Sequence, residues 1–278
     1  MTEARTLSEP IQPPQQPRAW MAHIALVAAL CVGLAGCGTP TPDKTPRTQS
    51  DQTDIDKRSA VHVDLAAGYF SRGMNSTALD ETKQALVIKP KSLEAMNLQG
   101  LIYGAMGESR LADEAFRNAL ATAPNNPDTL HNYGWMLCQQ RRFDEAARQF
   151  NAALAQPEYR GGARTLRAEG VCEARAGDNA KAELTLAKAF EAAPGDPVTN
   201  YNYAEVLLRN GKLDRAMFYI KRVNAVPAQV TAQSLWLQAR VGHRMGDTLG
   251  VKILGEQLHK DFAQSPETQA LDAGRFDE

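Results

Sequence analysis

Four cysteines are the side chains with the most chemistry open to them in this 278-residue chain. Cys138 closes a run from Asn132, "NYGWMLC", in which Tyr133, Met136 and Leu137 fall at helical spacing with Trp135 beside them. A cysteine in such a place is an inert core thiol, a metal ligand, a nucleophile or half of a disulfide. His131 lies two turns earlier on roughly the same face, but no CxxC or HxxxH spacing completes a metal shell. There is no obvious His–Asp partner to activate a nucleophile, and the five histidines are scattered. GxSxG, HExxH, phosphate-loop and dinucleotide fingerprints are missing. The sequence therefore predicts no catalytic residue, no metal, no cofactor and no small-molecule substrate.

A second cysteine has a different chemistry. Cys37 ends "LAGC", Leu34 to Cys37, directly after an apolar run that starts near Ile24. The run is too short to span a bilayer and has the length of a signal-peptide core. "LAGC" resembles a lipobox, in which the thiol accepts a diacylglycerol and a peptidase cuts before it. An ordinary secretory signal with an incidental cysteine is the alternative. Residues 1–36, with Cys31, leave as the signal, and Met21 is a second candidate start. Gly38 stands where an inner-membrane retention signal would usually have Asp, so the expected location is the outer membrane, periplasmic face. Residues 37–57, rich in Thr, Pro, Asp and Gln, read as a disordered tether. Its roughly 20 residues would span about 25 Å as a flexible coil.

Net charge is −1, so no basic field draws nucleic acid. Alanine and leucine are abundant and β-branched residues sparse, which favours helix. The rest of the chain repeats itself. Gly100 to Gly134, Ala78 to Ala112, Ala112 to Ala146 and Ala182 to Ala216 are each 34-residue steps. Ala146 to Ala182 is 36, an insertion of two near "EYRGGA". Units close on Pro90, Pro124, Pro157 and Pro194. This is the tetratricopeptide (TPR) pattern of two helices with small residues at their crossing. Gly100, Gly134, Gly170 and Ala204 take the tight place in the first helix, and Gly73, Gly107, Gly177 and Gly211 the turn between helices. The fold class is all-α, a right-handed TPR superhelix of about six helix-turn-helix repeats. Their bounds are about 58–91, 92–125, 126–160, 161–195, 196–229 and a degenerate 230–265, followed by a tail, 266–278. Glu173 interrupts the pattern where a large apolar residue is usual. The helix is shifted there, or the carboxylate reaches Arg175 or solvent.

These elements place the remaining two cysteines. Cys138 and Cys172 lie at nearly the same height in the first helices of repeats three and four, which pack side by side. Cα atoms about 6 Å apart suit a disulfide, the expected state in an oxidising compartment. Its loop adds on the order of 3 kcal/mol by the chain-entropy estimate. Two buried thiols in a tight core are the alternative.

"NYGWMLCQQRRFDEAARQFNAALAQPEYRGGARTLRAEGVCEARAGD" resembles the central repeats of the PilF/PilW family of type IV pilus biogenesis lipoproteins. The resemblance rests on Asn132–Cys138, on Phe143–Ala146, on the Pro157–Tyr159 link and on the second cysteine, with the lipobox and six-repeat length. It implies a pilotin, a monomer anchored to the outer membrane by lipid, that helps the pilus secretin subunit reach that membrane or oligomerise there. A concave groove would hold the secretin segment. In this register it carries Val63, Phe70, Leu101, Trp135, Val171 and Tyr201 as apolar members. His131, Asn132 and Asn202 join them, with Arg164 and Arg167 placed to meet acidic groups. The rival expectation is a general periplasmic TPR lipoprotein, an adaptor for envelope enzymes or assembly.

Overall fold

Small side chains recur where helices cross because nothing larger fits. A Cβ on Gly100 would stand 2.8 Å from the Phe116 ring, and one on Gly134 would stand 2.8 Å from Phe150. On Gly170 it would lie 2.6 Å from Leu186 Cγ. Phe116, Phe150 and Leu186 are themselves fully buried, so none can yield cheaply. Each clash partner lies 16 residues after its glycine, on the second helix of the same repeat. Ala78, Ala112, Ala146, Ala182 and Ala216 on those second helices are likewise 0% exposed.

The computed structural model describes residues 53–277. Among them are thirteen α-helices and no strand. Repeat one is α1 (Asp54–Ser71) with α2 (Asn75–Ile88), and repeat two is α3 (Leu93–Ala105) with α4 (Ser109–Thr122). Repeat three is α5 (Pro127–Gln139) with α6 (Phe143–Leu154), and repeat four is α7 (Gly162–Ala176) with α8 (Asn179–Ala192). Repeat five is α9 (Pro197–Arg209) with α10 (Leu213–Asn224). After a short 3₁₀ turn, Pro227–Gln229, come α11 (Ala232–Met245), α12 (Thr248–Asp261) and α13 (Pro266–Asp272). The arrangement is an all-α TPR superhelix. No helix of the described residues is long and apolar enough to cross a membrane. The signal segment 1–36, Cys37 and most of the tether lie outside the described residues.

Turns between paired helices use positive φ at Gly73, Gly107, Gly177, Gly211 and Gly246. Repeat three lacks the glycine, and Arg141 adopts φ 61° in its place. A side chain in the left-handed region costs about 1 kcal/mol or more.

Three expectations need correction. The end of the tether is helical: Thr53 and Asp56 form a reciprocal capping box, so α1 begins at Asp54. The segment 266–278 is no loose tail. Ser265 caps α13, and Leu271 and Phe276 pack on Trp236, Leu254 and Leu258 of α11 and α12. The last repeat has an apolar face with no following repeat, and α13 covers it. Glu173 reaches neither Arg175 nor solvent. It is only 8% exposed, and its ion-pair partner is Lys181, 3.0 Å away on α8.

Candidate functional site

First helices α3, α5, α7, α9 and α11 stand side by side and present one face each. Their spacing is set by the core behind them. Cys138 and Cys172, 1% and 4% exposed, join α5 to α7 in a disulfide with Cα atoms 5.7 Å apart. The bridge lies in a cluster with Tyr133, Leu137, Phe150 and Ala168. It spans the two-residue insertion. That insertion is itself tied down, because the Tyr159 and Thr165 hydroxyls are 2.8 Å apart and Arg164 donates to Tyr159 at 3.4 Å.

In front of this frame, Trp135 on α5 is half-buried, with the Arg175 guanidinium of α7 5.0 Å from its ring centroid. Arg175 also lines a depression of about 250 Å³ between α7 and α9, with Val171, Asn202, Glu205 and Arg209. Trp135, Arg175, Val171 and Asn202 thus form one strip across three helices. Arg209 is paired to Glu205 at 2.6 Å. Farther along, Tyr201 lines an apolar pocket of about 400 Å³ with Val198, Val223, Ala228 and Thr231. Burial, then the Glu205 carboxylate, pushes the Tyr201 phenol up to about 12, so it remains a hydrogen-bond donor. At the other end, Val63, Phe70 and Leu101 are half-buried against the core of repeats one and two.

The polar members of the expected groove are mostly engaged inside the molecule. Asn132 donates to Asn97 Oδ1 across α3 and α5 at 3.2 Å. Asn202 donates to the Val198 carbonyl of its own helix at 2.7 Å. Arg164 pairs with Asp128 at 2.7 Å, and Arg167 with Asp196, the N-cap of α9. Burial works against the Asp196 carboxylate, but the Thr199 hydroxyl and Arg167 together hold its pKa below the ordinary range. Both arginines therefore brace neighbouring repeats rather than wait for a partner's acid. His131 is a correction outright. It is 8% exposed, its Nδ1 lies 2.9 Å from Thr165 Oγ1, and its ring packs near Phe150. Burial, then the Arg164 guanidinium, hold its pKa down at about 4, so it is neutral at ordinary pH.

Sequence reasoning missed Arg175 and the pocket beside Tyr201. The signal for the pocket was present in "NAVPAQV", a longer connection whose Pro227 starts a 3₁₀ turn and whose Ala228 and Gln229 line the pocket. The groove as it stands is half-buried apolar and aromatic surface with paired charges at its edges. It can take up apolar side chains along several repeats. Among the described residues no group of His, Cys, Asp and Glu can hold a metal ion.

Sequence models of the tetratricopeptide repeat match residues 93–126, 115–148 and 173–240. The type IV pilus assembly protein PilF of Pseudomonas aeruginosa is 28% identical over 252 residues, covering 90% of this chain and 97% of PilF. A solved structure of P. aeruginosa PilF superposes with a TM-score of 0.68 at 26% identity, over 80% of this chain and all of that one (100%). The crystal structure of PilW, described as a widely conserved type IV pilus biogenesis factor, gives 0.72 at 27% identity, over 79% and 99%. A tetratricopeptide repeat protein of Parabacteroides merdae shares the fold at 18% identity and a TM-score of 0.58, over 77% and 82%.

Proposed function

Starting from a TPR superhelix homologous to PilF, we propose that this chain is a type IV pilus biogenesis lipoprotein, a scaffold without catalysis. It is anchored through lipidated Cys37 to the outer membrane, faces the periplasm, and assists the pilus secretin in reaching that membrane or oligomerising there. The observation that carries this is the extent of the PilF match, which runs through nearly the whole of both chains rather than through a few repeats.

A secretin must cross the periplasm as separate β-rich subunits without aggregating. A groove tethered to the target membrane raises the local concentration of any segment it holds. Trp135, Val171 and Tyr201 offer the apolar surface for that segment, and the disulfide-linked α5 and α7 keep Trp135 and Val171 at a fixed spacing. Preorganisation of this kind lowers the ordering cost of binding. The partner-binding role asks nothing of His131, Arg164 or Arg167 beyond bracing the frame.

The test is the state of the secretin in a strain lacking the gene. Membrane fractions run unboiled should lose heat-resistant multimers and regain them with the wild-type gene. Normal multimers in the outer membrane would refute the pilotin role and favour a general envelope adaptor.

A further inference from the structure

On the side of α7 away from Trp135, a pocket of about 150 Å³ opens between α6, α7 and α8. Its walls are Phe143, Ala147 and Phe150. Glu169 and Glu173, one helical turn apart, line it at 6% and 8% exposed, and Asp144 and Asp178 stand around it. Lys181 is the one cationic side chain in the lining. Its ammonium is 3.0 Å from Glu173 Oε1, and the lysine itself is more than half exposed. Glu173 Oε2 is buried and accepts no hydrogen bond at all. Glu169 receives only a long one, 3.4 Å from Asn151. A buried carboxylate held on one oxygen by a single exposed ammonium is costly, and a TPR core does not need one there. Glu173 occupies a position where the repeat expects an apolar residue.

We propose that this pocket receives an arginine side chain from a protein partner, with Glu169 and Glu173 accepting from the guanidinium. The chemistry selects arginine over lysine. A guanidinium presents several N–H donors in a plane, enough for two carboxylates at once, and its face stacks on an aromatic wall such as the half-buried Phe143. A compact ammonium, as Lys181 already demonstrates, reaches one oxygen and leaves the other bare. On binding, Lys181 swings into solvent and the guanidinium takes its place. The proposal rests on the chain being a protein-binding scaffold, but it does not depend on the secretin.

The test uses the purified protein and N-acetyl-arginine amide, followed by backbone amide shifts of Glu173, Ala176 and Lys181. The neutral isostere N-acetyl-citrulline amide and N-acetyl-lysine amide are run at equal ionic strength. Saturable shifts are expected for the arginine probe alone. Glu173→Gln should weaken them about tenfold, as loss of a charge-assisted contact does. Glu169→Gln, which leaves the Lys181 pair intact, should weaken them too. Lys181→Met should tighten binding by about threefold, since it removes the internal competitor. No saturable shift, equal shifts with citrulline or lysine, or Lys181→Met binding no better than wild type would each overturn the proposal. Secretin multimers are not read in this experiment, so its failure leaves the pilotin reading standing.

Discussion

His131 makes the protein acid-sensitive in a way that can be calculated. The imidazole is held at about 4 against an ordinary 6.5, first by burial and then by the Arg164 guanidinium, with Asp128 opposing. A base whose folded pKa is depressed contributes stability above its unfolded pKa and loses it as pH falls through the folded one. The window is therefore pH 6.5 down to about 4. At pH 4.5 the loss is about 2.5 kcal/mol, approaching about 3.4 kcal/mol at lower pH, since each unit is 1.36 kcal/mol. Urea denaturation of wild type and His131→Gln should be compared from pH 7.5 to 4.5. The variant will be weaker at pH 7.5, because it loses ring packing near Phe150. It should lose about 2 to 3 kcal/mol less than wild type on acidification, because the carboxylates common to both chains cancel in the difference. Arg164→Gln should flatten the wild-type profile in part, since it removes the second cause while Asp128 remains. Parallel stability curves for wild type and His131→Gln would refute this account of the buried ring.

Arg141→Gly should stabilise the protein by roughly 0.5–1 kcal/mol, because relief of the left-handed conformation exceeds the entropic cost of glycine. The urea midpoint should rise with no change in slope. Reduction of Cys138–Cys172, or Cys138→Ala with Cys172→Ala, should cost between about 3 and 4 kcal/mol by the chain-entropy estimate for a separation of 34 residues. Equal stability of reduced and oxidised protein would refute that. Trp135→Ala should leave the circular dichroism unchanged, because the ring is half-buried at the helix surface, yet reduce secretin multimers in cells; unchanged multimers would remove Trp135 from the binding surface.

The superhelix was legible because its demands are steric and periodic. Gly134 must be small where Phe150 crosses it, and the same demand recurs 34 residues away at Gly100 and 36 away at Gly170. The positive φ at Arg141 was hidden, since no glycine marks it and only the register reveals the position. The groove was legible as a set of positions but not as a set of free side chains. Arg164 and Arg167 find Asp128 and Asp196, which lie 36 and 29 residues away and reach them only through the stacking of repeats. The burial of His131 depends on Thr165, 34 residues on, in the next first helix. Helix α13 was missed because one short apolar contact set, Leu271 and Phe276, has no repeat to announce it.

Helix α7 concentrates what the rest of the solenoid distributes. Val171 and Arg175 face the groove, Cys172 is bonded to α5, and Glu169 and Glu173 line the opposite pocket. In a repeat protein each unit contacts only its neighbours, so stability is a sum of repeat and interface terms and separation can begin at any weak interface. The 36-residue step makes the junction of repeats three and four the irregular one. It is also the junction crossed by the disulfide, by Arg164–Asp128 and by His131–Thr165. Cross-links gathered at the irregular interface oppose separation there. They hold α5 and α7, and with them the strip around Trp135, to one spacing. The covalent bridge lies at that strip, and polar bracing continues into the junction of repeats four and five, where Glu183 pairs with Lys212 and Arg215.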